Sequence, residues 1–251
     1  MESDYQHNYS DLKQSVFNID GRQRKATTMV KVLDDKLAGD LAGKSVLSVG
    51  GSSGIIEDYL AQYFGDVVSV DIDEKAINFA REQFERPNLQ FEIGDAMNLR
   101  FEAESFDVVI CAHVYEHVPD SSRMIDEIFR VLKPGGSVYF AAGNRISVIE
   151  PHYKLPFLSI PPRPVSNLYL RLTGKGTHYY EKHLTYWGLK RLVRDFTVSD
   201  YTAALIEDPE RYETAYMVSP GSATQRLGTW LARYVTWLMP SWIWVLTKPS
   251  T

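Results

Sequence analysis

The chain has 251 residues, 44% of them hydrophobic, and a formal net charge of -5. This length and composition suit one globular domain with a sizeable core, and the acidic balance without a long basic run argues against nucleic acid as a partner. The single cysteine, Cys111, excludes an intrachain disulfide and suits a reducing compartment. Met1-Glu2-Ser3-Asp4 does not look like a secretory signal, and no apolar run reaches the roughly 18–20 residues of a membrane span. We therefore expect a cytoplasmic protein.

Apolar residues recur at strand and helix spacing in alternation along most of the chain. The predicted strands are 46–49, 67–70, 89–93, 106–111, 137–142, 198–204 and 242–247, and the predicted helices are 22–41, 55–64, 74–84, 121–132, 186–195 and 227–239. Asp73 and Thr185 stand where helix N-caps are expected. The alternation predicts an α/β fold with a seven-stranded, mostly parallel sheet, whose last two strands form an antiparallel edge pair.

The first predicted strand runs into a turn of small residues, from Gly50 to Gly54, and a helical pattern follows. Small residues let a ligand approach the backbone, and N–H groups at the start of a helix favour anionic or polar groups. A dinucleotide fingerprint, G-x-G-x-x-G, fails here because its second and third glycine positions are Ser52 and Ile55. The turn is therefore a ligand loop of another kind, or a tight strand–helix turn with no ligand.

Asp71 ends the second predicted strand, about 20 residues beyond the glycine turn. A carboxylate at that place can accept both ribose hydroxyls of a nucleoside. Gly94-Asp95-Ala96 follows the third strand, and Phe106-Asp107-Val108-Val109 opens the fourth. We expect the ends of these strands to meet at one edge of the sheet.

These motifs together resemble the class I S-adenosylmethionine (SAM)-dependent methyltransferases of type 11, over about residues 44–142. The resemblance implies a Rossmann-like methyltransferase fold, with SAM as the cofactor and Asp95 as the adenine contact. The implied cofactor-binding residues are Ser48, Gly50, Gly51, Ser52, Gly54, Asp71, Ile72, Asp95, Ala96, Cys111 and His113.

The sequence departs from the family pattern at Ser48, where the family has an acid that places the amino group of the SAM methionine portion. Serine carries no charge, so the loss is worth one charge-assisted hydrogen bond, on the order of 1–3 kcal/mol. This departure leaves room for a non-catalytic, methyltransferase-like binding module as an alternative function.

The segment from His113 to Val118 follows the fourth strand, where donor and acceptor meet in the family. It has three interpretations: a turn that only shapes the chain, a source of a general base, or a metal site made by His113, Glu116 and His117. Quinone O-methyltransferases carry a similar Glu-x-x-Glu-His arrangement. We predict a metal-free base, with candidates in the order His113, His152, His117 and then His178.

Residues 145–183 are rich in proline and aromatics and are too long for an ordinary loop, so we predict an inserted cap after strand five. The cap resembles that of family members associated with glycan and lipid-linked sugar modification, and aromatic faces with polar tips suit a sugar. The predicted substrate-binding residues are Tyr115, Asn144, Arg145, Glu150, His152, Tyr153, His178, Tyr179 and Tyr180. The predicted reaction is O-methylation of a hydroxyl on a sugar, glycan or lipid-linked substrate; a quinone-like or other small molecule is the alternative.

The whole chain, 1–251, is predicted to be a single domain in four parts. Residues 1–43 are a lead-in and a helix, 44–144 the SAM-binding core, 145–183 the substrate cap, and 184–251 the C-terminal helices and edge strands. We expect the lead-in, residues 2–20, to fold over the active site. In the last part, an apolar stripe includes Leu227, Trp230 and Tyr234. It predicts an ordinary core helix, a homodimer contact in place of a monomer, or a weak, reversible contact with the inner face of a membrane.

Overall fold

The computed structural model describes residues 7–250. Its strands are β1 (Ser45–Val49), β2 (Asp66–Asp71), β3 (Leu89–Ile93), β4 (Phe106–Ala112), β5 (Leu132–Gly143), β6 (Ile149–Glu150), β7 (Leu155–Pro156), β8 (Thr197–Asp200) and β9 (Ser241–Thr247). Its helices are α1 (Tyr9–Leu12), α2 (Ile19–Lys36), α3 (Ile55–Leu60), α4 (Glu74–Gln83), α5 (Ser121–Val131), α6 (Arg163–Leu172), α7 (Tyr186–Leu192), α8 (Thr202–Glu207) and α9 (Ala223–Tyr234).

Seven strands form one sheet in the order β3-β2-β1-β4-β5-β9-β8. Strands β1 to β5 run parallel to their neighbours, whereas β9 is antiparallel to β5 and β8 is antiparallel to β9. The predicted fold, a Rossmann-like, mostly parallel sheet with an antiparallel edge pair, is confirmed. Strand order reverses between β1 and β4, and ligands of open α/β sheets bind in the crevice at such a reversal.

The central strands are mostly apolar because helices cover both faces of the sheet. Leu47 and Val109 belong to the core on one face, and Val46 and Val108 belong to the core on the other face. All four side chains are fully buried. The N-caps are also as predicted, since Asp73 accepts a hydrogen bond from the Ala76 N–H and Thr185 accepts one from the Gly188 N–H.

Two predicted elements were wrong. Strand β5 begins at Leu132, not at residue 137, because Leu132 already pairs with Phe106. Residues 133–136, which include Gly135 and Gly136, then form an irregularity before regular pairing with β4 resumes at Ser137. Predicted strand 198–204 ends early at Asp200, whose carboxylate accepts the Thr202 N–H and starts helix α8.

The predicted cap is present after β5 and has a small core of its own. Strands β6 and β7 pair as a hairpin, and α6 follows them. Leu155, Leu158, Leu170 and Tyr179 pack together there. The cap is therefore a folded element that can hold side chains in fixed positions.

The N-terminal segment contacts the glycine turn, the residues after β2 and the cap; Tyr5 lies outside the described residues. The Ser10 N–H donates to Asp73 Oδ2 at 2.7 Å, and Lys13 Nζ donates to the His152 carbonyl at 2.8 Å. Ser53 Oγ donates to the Val16 carbonyl at 2.5 Å. The segment thus ties the glycine turn, β2 and the cap together.

Candidate functional site

The glycine turn needs glycine at both of its ends. Gly50 and Gly54 have φ of 73° and 75°, in the left-handed region. A Cβ at position 50 would lie 2.6 Å from Val114, and one at position 54 would lie 2.6 Å from Phe91. The contact with Val114 also brings the loop after β4 directly against the turn.

Ser52, which replaces the family's middle glycine, adopts φ of 54° and binds Asp71 through its backbone. The Ser52 N–H donates to Asp71 Oδ2 at 2.8 Å, and the Asp73 N–H donates to Asp71 Oδ1 at 2.9 Å. Burial raises the pKa of Asp71, and these backbone hydrogen bonds oppose that rise. Asp71 therefore holds the turn and still has lone pairs for ribose hydroxyls.

The adenine side of the predicted site lies beside Asp71. The Gly94 N–H donates to the Asp71 carbonyl at 3.0 Å, and Asp95 Oδ1 accepts the Met97 N–H at 2.8 Å, so Ala96 lies inside a short side-chain turn. Ile72 and Ile93 line a cavity of about 790 Å³ at this edge. The cavity does not include the glycine turn.

Ser48 Oγ donates a 2.6 Å hydrogen bond to Glu57 Oε1, a contact that the sequence analysis missed. Glu57 lies in α3 and is 1% exposed. Burial raises its pKa to about 7, and the hydrogen bond from Ser48 opposes that rise. Gly51 packs over the pair, since a Cβ there would lie 3.0 Å from Glu57 Oε1.

Four predicted site residues are parts of the framework. Cys111 is fully buried in the core. Tyr115 Oη donates to the Gly143 carbonyl and accepts the Leu184 N–H, while Asn144 Nδ2 donates to the carbonyls of Trp237 and Met239. Arg145 binds the carbonyls of Ser159 and Ile160. The polar atoms of the Tyr115 and Asn144 side chains are thus used within the protein, where they connect β5 with the segments that follow it.

A cluster of histidines and glutamates lies where the loop after β4 meets the cap; we call its members Glu116, His117, Glu150, His152 and His183 the His–Glu cluster. Glu150 Oε1 lies 2.7 Å from His152 Nδ1 and 3.6 Å from His183 Nε2. The His117 and His152 rings meet edge to face, with centroids 5.0 Å apart.

Tyr9, from the N-terminal segment, covers the His–Glu cluster. Its ring centroid lies 4.9 Å from that of His117. Burial, followed by the negative charges of Glu116, Glu181 and Glu150, raises the pKa of Tyr9 to about 12. The negative charges of three carboxylates therefore disfavour ionisation of the Tyr9 hydroxyl.

Opposing effects set the ionisation of the His–Glu cluster. Burial alone would raise the pKa of Glu116 and of Glu150, but the neighbouring histidines outweigh it and hold each at about 2. Burial lowers the pKa of His117 to about 4. Burial also acts to lower the pKa of His152, but the carboxylates, Glu150 first, outweigh it and raise that pKa above its ordinary value. The carboxylates therefore make His152 a stronger base than an ordinary histidine.

The other two predicted bases, His113 and His178, lie at the edge of the His–Glu cluster and outside it, respectively. His113 has φ of 59°, its side chain is 48% exposed, and its Nδ1 lies 3.3 Å from Glu116 Oε1. His178 is exposed and contacts Tyr180. His183, which the sequence analysis did not select, lies in the cluster; Gly143 makes room for its ring, since a Cβ there would lie 3.1 Å from its Cε1.

The predicted tyrosines lie in the cap beside the cluster. The Tyr153 ring lies 5.9 Å from that of Tyr179 and receives Lys13 Nζ at 5.2 Å from its centroid. Tyr179 is 5% exposed and belongs to the cap core, whereas Tyr180 is 39% exposed. Of these three tyrosines, Tyr153 and Tyr180 therefore remain candidates for direct substrate contact.

Two trios in the cluster are close enough to share a divalent ion. Glu116, His117 and His152 offer ligand atoms within 4.8 Å of one another, and so do Glu150, His152 and His183. His113 belongs to neither trio. An ion bound to the second trio would replace the 2.7 Å hydrogen bond between Glu150 and His152.

Comparison with known proteins identifies relatives of the core and of the whole fold. Residues 47–140 match the family model described as "Methyltransferase domain". A ubiquinone biosynthesis O-methyltransferase from Coxiella burnetii is 30% identical over 190 residues, which are 71% of this chain and 76% of the relative. A protein of the same description from Acinetobacter baylyi is 38% identical over 154 residues, 60% of this chain and 61% of the relative.

Solved structures share the fold at low sequence identity. A chain of the complex between the Haloferax volcanii Trm112 methyltransferase activator and its methyltransferase superposes with a TM-score of 0.60 and 18% identity, covering 97% of both chains. A SAM-dependent methyltransferase from Mesorhizobium loti superposes with a TM-score of 0.55 and 16% identity, covering 83% of this chain and 93% of the other.

Proposed function

Because the chain belongs to the class I SAM-dependent methyltransferase family, we propose that it methylates a hydroxyl on a quinone-like aromatic ring. The cofactor is SAM, whose sulfonium supplies an activated methyl group for in-line transfer when it is bound. The chain's own task is then to hold the acceptor oxygen in line and to remove its proton.

One observation carries the proposal: the 2.7 Å contact between Glu150 Oε1 and His152 Nδ1. Glu150 is fully buried, and its Oε2 accepts the Tyr153 N–H, so the carboxylate is fixed. The contact keeps the proton of neutral His152 on Nδ1 and leaves the Nε2 lone pair as the base. When Nε2 takes the proton of a phenol, Glu150 stabilises the imidazolium that forms.

The residues that would hold the cofactor fit a nucleoside with an amino-acid tail. Gly50 and Gly54 leave backbone surface where a Cβ would clash, and Asp71 and Asp95 lie at adjoining strand ends. The contact of Gly50 with Val114 connects this edge with the loop that carries His117.

The acceptor class is argued from charge and from relatives. In the described part of the chain, no lysine or arginine forms an ion pair with Glu116 or Glu150, although both carboxyls have a pKa of about 2. Such a site favours a neutral ring over a phosphate-bearing, lipid-linked sugar. The relatives' description, ubiquinone biosynthesis O-methyltransferase, also fits the quinone alternative better than the sugar that we predicted first.

We expect the pH dependence of kcat/KM to follow the ionisation of His152, whose pKa is raised by Glu150. The rate should rise with pH as the imidazolium of His152, held by Glu150, gives up its proton. In Glu150→Gln the charge that raises the pKa of His152 is gone, so the rising limb should move to lower pH while the plateau falls. An unmoved limb, in a variant whose thermal unfolding shows that it is folded, would rule out His152 as the titrating base.

We expect activity without a metal ion. An ion held by Glu150, His152 and His183 would have to break the hydrogen bond between Glu150 Oε1 and His152 Nδ1, and an ion held by Glu116, His117 and His152 would occupy a ring nitrogen of the proposed base. EDTA should therefore leave the rate unchanged, with SAM affinity measured in the same samples as the control. Loss of activity that an added divalent ion restores would assign the cluster to a metal.

We also propose a weak membrane contact through α9, consistent with a lipid acceptor in a cytoplasmic protein. Leu231 and Ala232 pack inward, but Leu227, Trp230 and Tyr234 are 60%, 52% and 71% exposed and lie on one face. No helix in residues 7–250 is both long enough and apolar enough to span a bilayer. Trp and Tyr at a surface suit the membrane interface.

The expected result is partial sedimentation with liposomes that Trp230→Ser abolishes, since burying one such side chain contributes roughly 1.5–3 kcal/mol. Ile19→Ser, which changes an exposed apolar residue on α2, is the matched control and should sediment like the wild type. Protein that stays in the supernatant with anionic and neutral vesicles alike would exclude the contact. A dimer at micromolar concentration that Trp230→Ser dissociates would instead assign this face to a homodimer.

A further inference from the structure

Glu57 is a buried carboxylate that forms no ion pair within residues 7–250. It is 1% exposed, its Oε1 accepts the hydrogen bond from Ser48, and its Oε2 has no hydrogen-bond partner in the described chain. In the same part of the chain, no lysine, arginine or histidine forms an ion pair with it. An unpaired buried carboxylate is costly when ionised, and burial accordingly raises its pKa to about 7.

The carboxylate lies beneath the glycine turn. A Cβ on Gly51 would lie 3.0 Å from Glu57 Oε1 and 2.0 Å from Ser69 Oγ, so only glycine lets the turn close over this group. Ser69 on β2, like Ser48 on β1, is buried. Two short hydroxyl side chains therefore leave room for one long carboxylate that enters from α3.

We propose that Glu57 supplies, from α3, the negative charge that binds the ammonium of the cofactor's methionine portion, and that Ser48 holds the carboxylate in place. The inference rests on SAM as the cofactor and not on the identity of the methyl acceptor. The amino group of the methionine portion is protonated near neutral pH. A charge-assisted hydrogen bond from an ammonium to a buried carboxylate is among the strong polar contacts. The charge that β1 lacks at position 48 is thus provided nine positions later in the chain.

Binding of the ammonium should release a proton. Glu57 faces Ser48 and Ser69 on the strands, and the charged groups that act on it are Arg22, which favours ionisation, and Asp71, which opposes it. Near pH 7 the carboxyl is partly protonated before binding, whereas a bound cation favours its ionised form. Calorimetry of S-adenosylhomocysteine binding in buffers of different ionisation enthalpy should therefore show proton release in the wild type and none in Glu57→Gln.

The decisive test pairs a protein change with a ligand change. Glu57→Gln should weaken binding of S-adenosylhomocysteine about 10–150-fold, the measured range for a hydrogen bond to a charged group. It should leave binding of the des-amino analogue of S-adenosylhomocysteine within about twofold, because that probe has no ammonium. Neither measurement requires a methyl acceptor, so failure here is distinct from failure of the proposed reaction.

A second variant separates charge from packing. Ser48→Asp/Glu57→Ser moves the carboxylate to β1, and it should recover most of the affinity that Glu57→Gln loses. Equal losses for both probes would make Glu57 a support of the turn, and unchanged affinity for both would remove it from the site. Either result, or a relocated charge that recovers nothing in a folded variant, overturns the proposal.

Discussion

Replacing His152 by Ala should lower kcat by about 10²–10⁴-fold, the usual contribution of a general base. The pKa of His152 is raised, because Glu150 and the other carboxylates outweigh the effect of burial. The variant keeps the residues that would hold the cofactor, so its affinity for SAM should stay close to that of the wild type. Single-turnover rates with labelled SAM and calorimetric affinities measure the two quantities separately.

His178→Ala is the matched control, because His178 is a cap histidine whose side chain is exposed and lies outside the cluster. Its kcat should remain near the wild-type value. A His152→Ala enzyme that keeps more than a tenth of the wild-type kcat would assign the base to another residue, with His117 and His183 the nearest histidines in the cluster.

Asp71→Ala should weaken SAM binding by about 1–3 kcal/mol, the cost of losing a charged hydrogen-bond acceptor. The carboxylate has two tasks, since it accepts the Ser52 N–H and also lies at the strand end where a ribose binds. The turn should therefore become less ordered in the free protein, and hydrogen exchange of the Ser52 amide should rise in parallel.

Asp66→Ala, at the opposite end of the same strand β2, provides the comparison. Asp66 is exposed and far along the strand from the glycine turn, so its replacement should leave SAM affinity unchanged. Equal affinities for wild type and Asp71→Ala would remove Asp71 from the cofactor site.

Most of the fold could be predicted because the signals for most helices and strands lie in the local sequence. Continuous apolar strands, Asp73 and Thr185 as caps and the glycine turn each depend on neighbours in sequence. The helix after Asp200 could not be predicted in this way. The apolar pattern of residues 201–204 also fits a strand, and the helix begins at Thr202 only because the Asp200 side chain accepts the Thr202 N–H. The start of β5 failed similarly, since Gly135 and Gly136 usually mark a break.

The positions of the proposed cofactor residues at strand ends could be predicted, whereas the grouping of the residues on the proposed acceptor side could not. Gly50, Gly54 and Asp71 follow strand ends, and the topology of a parallel sheet brings strand ends together. The His–Glu cluster joins the loop after β4 to two distant parts of the cap, so only the packing of the cap places His183 beside Glu150. Glu57 was missed because an acid in a short helix usually faces water, whereas here it turns inward to Ser48.

The most direct test of the proposed function is transfer of labelled methyl from SAM to defined acceptors. We would compare a prenylated catechol with a lipid-linked sugar, each presented in neutral detergent, with the wild type and His152→Ala. We expect a labelled aryl methyl ether from the catechol, a rate reduced by about 10²–10⁴-fold in His152→Ala, and no labelled sugar. Label on the sugar, or a catechol rate that His152→Ala does not change, would contradict it.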